Sequence, residues 1–279
     1  MKKIAIITYP KIPNLSEADQ ALIPLFLEKG FLAEPKCWGD LTTDWQQYEF
    51  LLFRSTWDYH LRETEFKAWL DFLDNQGVRI VNSSTVIKRN MHKFYLQELE
   101  SKGIQIIPTL FSSSLSPISL DAIKDKNWTR IVIKPAISAG AYLTEVIDVE
   151  PLTDRVFHAI LKDSDWLIQP FLPEIEVNGE ISMIFFKNEF SHSIIKMPKD
   201  GDFRVQKQFG GKYTLFQPSS ALLAVGKNIV EQFDANLTYA RVDGVVINGN
   251  FHLMELELIE PDLYFEFDKS FAQRLVDAI

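Results

Sequence analysis

Residues 254–262 read MELELIEPD, that is Met254-Glu255-Leu256-Glu257-Leu258-Ile259-Glu260-Pro261-Asp262. The alternation through Leu258 has the period of two that belongs to a β-strand, which puts Glu255 and Glu257 on one face. Residues 239–247, YARVDGVVI, carry a second strand pattern, and Asn248-Gly249-Asn250 between the two is a hairpin turn signal. The loop length decides which residues oppose one another. A three-residue loop sets Ile247 against Phe251, Asp243 against Glu255 and Arg241 against Glu257. A two-residue loop would set Asp243 against Met254 and split the acids between faces. We read the three-residue loop, because it leaves Val242, Gly244, Val246, Met254, Leu256 and Leu258 as an unbroken apolar face. Three carboxylates and one arginine under cover then need a counter-charge, since like charges placed opposite each other are destabilising. A hard divalent cation with its preference for oxygen, Mg²⁺ or Mn²⁺, would supply it. A solvated face with an ordinary Arg241–Glu257 pair accounts for the hairpin equally well. Glu260 falls off this face by parity and because Pro261 ends the ladder, so it is left out of the metal set.

The rest of the chain sets limits on what this hairpin belongs to. With 279 residues and 46% hydrophobic composition, it can bury a large core in one to three domains. A net charge of −9 argues against a general nucleic-acid or membrane-surface binder. The single cysteine, Cys37, excludes an internal disulfide framework and suits a reducing cytosol. No apolar run approaches the ~18 residues of a membrane helix, and the opening MKKIAIITYP has no signal-peptide core. These features predict a cytoplasmic protein. Phosphate-loop, dinucleotide, zinc-protease, CxxC and nucleophile-elbow motifs are all missing.

Strands are predicted at 4–8, 49–53 and 79–81, with helices at 18–29 and 64–75 between them. This β-α-β-α-β opening implies a parallel sheet, whose ligands sit beyond the carboxyl ends of the strands. Arg54-Ser55-Thr56-Trp57-Asp58-Tyr59-His60 occupies such an end. Helix capping by Ser55 and Asp58 and core packing of Trp57 are the alternative to a ligand role. Downstream the pattern predicts helices at 84–101, 153–162, 219–233 and 269–278. Strands are predicted at 130–135, 142–147 and 166–171, with hairpins over 180–197 and 239–259. The fold class is therefore mixed, α/β followed by α+β.

Lys134 closes an apolar strand, where a lysine is costly unless paired or placed at a ligand. The small residues after it, Ser138-Ala139-Gly140-Ala141, let backbone N–H groups approach an anion. Lys93 stands in a second prominent segment, NMHKFYLQEL. Each lysine alone reads as a solvated charge. In order, Lys93, Lys134 with its small-residue loop, the 166–172 segment WLIQPFL, the Gly179-Glu180-Ile181-Ser182 tetrad and the 241–257 hairpin together resemble the ATP-grasp superfamily. RSTWDYH, GDFRVQKQFGG and ELELIEPDLY are most similar to its D-cycloserine-forming and glutathione-synthetase-like branch.

The resemblance covers roughly 84–262. It implies an N-terminal substrate domain over 1–86 and an ATP-grasp domain over 87–279, with a lid subdomain at about 108–168. The activity it implies is ATP-dependent joining of a small amino-acid-like carboxylate to an amine through an acylphosphate. An ATP-binding module without turnover and an amino-acid modifier of proteins are the alternatives. By the same resemblance Lys93, Lys134 and the loop Ser138, Ala139, Gly140 and Ala141 contact phosphates. Gln169, Phe171 and Leu172 line the adenine slot, and Glu174 or Glu176 holds the ribose. Asp243, Glu255 and Glu257 hold Mg²⁺ or Mn²⁺, and Arg204 and Arg241 face the transferred phosphate. Arg54 would take a substrate carboxylate and Asp58 an ammonium, with Trp57 and Tyr59 beside them. Many relatives carry Glu-x-Asn where this chain has Glu255-x-Glu257. Such relatives are often homodimers, with small molecules rather than nucleic acid or membrane as partners.

Overall fold

The first sheet is parallel, as the opening pattern predicts, but one of its strands is not the one predicted. In a computed structural model that describes residues 1–161, 163–234 and 236–279, β1 (Lys2–Thr8) is central. It is flanked by β2 (Phe31–Cys37) and β3 (Tyr48–Phe53). The sequence reading misses β2, because Glu34, Pro35 and Lys36 interrupt its apolar pattern. A proline is tolerated there because β2 is an edge strand. The predicted strand at 79–81 shrinks to one bridge between Ile80 and Leu51. The predicted helix 18–29 divides into α1 (Glu17–Gln20) and α2 (Leu22–Glu28). Pro24 is the third residue of α2, where its missing N–H leaves no bond unmade.

α3 (Glu63–Asn75) buries Phe66, Trp69, Leu70 and Leu73 against one face of this sheet, in a cluster with Trp38 and Trp45. The predicted helix 84–101 is two helices, α4 (Ser84–Met91) and α5 (Tyr95–Ser101). At the break Lys93 donates its N–H to Ala136 O at 2.8 Å. Continuing the helix would forfeit that cross-link and turn Lys93 away from the chain around Ser138.

Among the described residues a second, antiparallel sheet has the order β4-β7-β5-β6: β4 (Leu110–Ser112), β5 (Arg130–Pro135), β6 (Glu145–Asp148) and β7 (Trp166–Pro170). α6 (Leu120–Lys124) and α7 (Asp154–Leu161) cover it around Phe157 and Ile131. The helix predicted over 153–162 ends on Lys162, which lies outside the described residues. α8 (Glu174–Asn178) then leads into the third sheet, order β10-β9-β8-β11-β12 and antiparallel throughout. Its strands are β8 (Glu180–Phe186), β9 (Glu189–Met197), β10 (Lys212–Leu215), β11 (Tyr239–Ile247) and β12 (Asn250–Glu257). α9 (Ser220–Phe233) packs on one face. α10 (Lys269–Ala278) joins this sheet to the first one through Phe271, Ala272 and Leu275. Asn82 strengthens that junction. Its Nδ2 donates to Tyr239 O at 2.7 Å and Leu258 O at 3.0 Å, while its Oδ1 accepts from Thr238 N at 2.8 Å. No helix among the described residues is long and apolar enough to cross a membrane.

The β11–β12 hairpin corrects the predicted loop. Ile247 pairs with Asn250, not Phe251, so the loop is Asn248-Gly249. Both loop residues have positive φ, 50° and 81°, as a type I′ turn requires. A bulge then inserts Met254. Gly244 pairs with Leu253, while Asp243 pairs with Glu255 and Arg241 with Glu257. The predicted acid pairing is therefore present, reached by a two-residue loop plus a bulge. Met254 leaves the core face assigned to it and lines a cavity instead.

Candidate active site

A cavity of about 500 Å³ opens where the three sheets meet. Its walls include Lys93 at the α4–α5 break, Lys134 at the end of β5, the loop 138–141, the β7–α8 linker and the acids of the hairpin. Lys93 is buried. Its Nζ donates to Ser138 O at 2.6 Å and pairs with Glu255 at 2.9 Å. Lys134 makes no ion pair among the described residues, and burial pulls its ammonium below its usual range. Both lysines thus present positive charge beside the loop Ser138, Ala139, Gly140 and Ala141. The last two residues hold φ near 60°, a left-handed conformation that turns the chain sharply.

Arg241, Asp243, Glu255 and Glu257 also line the cavity, from β11 and β12. Arg241 donates through Nη2 to Asp243 at 2.8 Å and to Glu257, and through Nη1 to Asp262 O at 3.1 Å. Asp243 also accepts from Ser182 and lies 3.6 Å from the Lys196 ammonium. Lys196 in turn donates to Glu180. The lysine, the glutamate and the serine of this buried relay are absent from the sequence-predicted site. One signal was available: a lysine inside the apolar run of β9 is as costly as Lys134 inside β5. Burial raises the Glu257 carboxyl to about 7; Arg241 opposes this, while Glu255 and Asp243 add to it. Glu260 is raised well above the usual range by burial first, then by Glu257.

The donor chemistry fits a hard divalent cation. The ligands are oxygen throughout, they stand on one wall, and the charge around Glu257 is in excess on the negative side. Glu255 and Glu257 each keep 28% of their side-chain surface exposed. Asp243 is already bonded by Arg241 and Ser182. Among the described residues no three His, Cys, Asp or Glu side chains converge on one point, because each of these carboxylates leans on a cation.

Of the remaining predicted residues, Gln169, Phe171, Leu172 and Arg204 line the cavity. Gln169 is anchored by Nε2 to Thr109 Oγ1 at 2.9 Å. Arg204 holds Asp202 through two nitrogens, at 3.0 and 2.8 Å, and stacks over Phe209 at 3.7 Å. Glu174 and Glu176 sit on α8, outside the cavity wall. Trp57 and Tyr59 line the cavity, but Arg54 and Asp58 do not. Arg54 is turned into the core. Its Nε pairs with Asp19 at 2.9 Å and its Nη2 donates to Pro261 O at 2.7 Å. Asp58 accepts from Trp38 Nε1 at 2.7 Å. The predicted substrate roles of Arg54 and Asp58 are not supported by this placement, because both side chains are engaged inside the protein.

Comparison with known proteins agrees with this architecture. The model of the D-cycloserine synthetase DcsG N-terminal domain matches residues 4–82. The chain is 29% identical over 273 residues to the cycloserine biosynthesis protein DcsG of Streptomyces lavendulae, covering 90% of this chain and 88% of that one. The crystal structure of D-cycloserine synthetase DcsG superposes with a TM-score of 0.86 at 25% identity, over 99% of this chain and 98% of that one. D-alanine–D-alanine ligase from Bacillus anthracis, solved with ATP, superposes with a TM-score of 0.72 at 16% identity, over 100% and 96% of the two chains. The chain is therefore homologous to the first of these proteins and has the ATP-grasp fold that both share.

Proposed function

We propose that the chain joins a small amino-acid-like carboxylate to an amine, using ATP and an acylphosphate intermediate. One observation carries most weight. Lys134 is a cavity-facing lysine without an ion-pair partner among the described residues, between a small-residue loop and an acid-rich wall. A polyphosphate chelated by a cation complements both. In the reaction, a carboxylate oxygen attacks the γ-phosphorus and ADP leaves. The amine nitrogen then attacks the acyl carbon, phosphate departs, and the nitrogen loses a proton. Lys93 and Lys134 would hold the phosphates, and the 138–141 loop would shield them from water. Arg241 and Arg204 would face the transferred phosphoryl group, Arg204 exchanging Asp202 for it in the same two-pronged geometry. Glu255 and Glu257, with Asp243 behind them, would hold Mg²⁺, which neutralises charge developing on the phosphoryl oxygens. Gln169, Phe171 and Leu172 would receive the adenine, and Glu174 or Glu176 would reach the ribose after a shift of α8. The division at 86/87, the lid at about 108–168 and a homodimer belong to the same reading.

A phosphate-release screen with Mg-ATP against amino acids and dipeptides tests it. Release with at least one acceptor is expected, and Lys134→Ala should weaken ATP binding by about 10- to 100-fold, the loss of one or two charge-assisted bonds. Failure to bind ATP, or binding indifferent to Lys134→Ala, would sink the proposal.

A further inference from the structure

Apart from Asp262, whose carboxylate accepts from Tyr264 N at 2.9 Å, the pairing of acids on the cavity wall leaves one carboxyl over. Glu255 has Lys93 at 2.9 Å, Asp243 has Arg241 at 2.8 Å, Glu257 shares Arg241, and Glu180 has Lys196. Glu260 also lines the cavity and is 9% exposed, yet its carboxyl makes no hydrogen bond or ion pair among the described residues. A buried carboxyl without a partner is costly unless a ligand completes it.

The backbone that carries it is held unusually firmly. Three consecutive carbonyls each accept a bond from a distant side chain. The Tyr239 hydroxyl donates to Ile259 O at 2.8 Å, Trp57 Nε1 to Glu260 O at 3.3 Å, and Arg54 Nη2 to Pro261 O at 2.7 Å. This clamp holds the backbone from which the Glu260 side chain projects. Trp57 and Tyr59 line the same cavity. The Tyr59 hydroxyl has no hydrogen-bond partner among the described residues, and aromatic faces favour a cation near them.

We infer that Glu260, bounded by Trp57 and Tyr59, is the subsite that receives a protonated amino group of the substrate. An ammonium offers several donors to this carboxyl, and its charge favours the ionised form. This rests on the ligase reading and names the group that its amine-bearing ligand presents. It also reassigns the ammonium role from Asp58, which is bonded to Trp38.

The test measures binding separately from turnover. Glycine and both enantiomers of alanine and serine are titrated calorimetrically into the protein with ADP and Mg²⁺. Glycolate, lactate and glycerate, which carry hydroxyl in place of the amine, serve as counterparts. At least one amino acid should bind about tenfold or more tightly than its hydroxy-acid counterpart. Glu260→Gln should erase that preference, and Glu260→Asp should retain part of it. Glu260→Gln breaks no bond of the fold, and if it nevertheless misfolds, a reduced preference in Glu260→Asp is the required result. Absence of any preference in the wild type, or its survival in Glu260→Gln, overturns the inference. Phosphate release is read on the same ligands: turnover without the preference overturns the Glu260 subsite alone. The preference without turnover leaves the subsite standing and sinks the ligase reading.

Discussion

Replacing Arg54 with methionine separates two readings of one residue. From its place after β3, Arg54 resembles a carboxylate ligand of the substrate. In the folded chain it is 2% exposed and bonded to Asp19 and to Pro261 O. Methionine keeps much of the volume but leaves Asp19, 3% exposed, without its cation. Ser16 and Ser55 still donate to Asp19, at 2.9 and 2.7 Å, so part of its bonding survives. Breaking a buried pair by removing one partner costs about 3–5 kcal/mol. For a chain of this size that lowers Tm by roughly 6–10 °C. Urea denaturation and calorimetry measure both. The double variant Asp19→Asn/Arg54→Met should be less destabilised than the sum of the singles by about 1 kcal/mol or more, since the two groups share one interaction. The Pro261 carbonyl loses its donor in either case, so the clamp on the 259–261 backbone should loosen as well. Wild-type stability in Arg54→Met, together with a raised KM for a carboxylate substrate, would refute the structural role.

Two further predictions concern the large sheet. A Cβ on Gly244 would stand 2.3 Å from Phe251 Cζ and 2.4 Å from His252 O, so Gly244→Ala should destabilise by about 1–3 kcal/mol and weaken Mg-ADP binding by disturbing the bulge that aligns Glu255. An unchanged urea midpoint would count against the bulge as drawn. His192 stacks on Phe271 with ring centroids 3.6 Å apart and meets Leu263 O at 2.9 Å through Nε2. Burial lowers its pKa from 6.5 to about 4. The folded form therefore binds the proton less readily than the unfolded chain, and the stability this contributes is whole above pH 6.5 and lost as pH falls toward about 4. The loss amounts to about 3 kcal/mol, and His192→Gln should flatten that part of the stability–pH curve measured by urea midpoints.

The sequence by itself determined the features that depend on neighbours along the chain. β11 and β12 are joined by a short turn, so alternation along each strand was enough to put Arg241 with Asp243, and Glu255 with Glu257, on one face of its strand. The strand that ends at Lys134 and the small-residue turn after it were legible for the same reason, since apolar runs and glycine act locally. Even so, the alternation concealed how the alignment arises: a three-residue loop and a two-residue loop with a bulge both pair Asp243 with Glu255. Only packing at Gly244 and Phe251 distinguishes them. What the tertiary structure alone decided is which charges meet. Arg54 turns inward because Asp19 and Pro261 arrive from segments 35 residues before it and 207 after it. Lys196 joins the acid wall because β8 pairs with both β9 and β11. Glu260 is left unpaired because the cations acting on it, Lys93 and Arg241, are held by Glu255, Asp243 and Glu257. A local pattern fixes which face a side chain occupies, but charge balance is summed over the whole neighbourhood, and that sum exists only once the chain has folded.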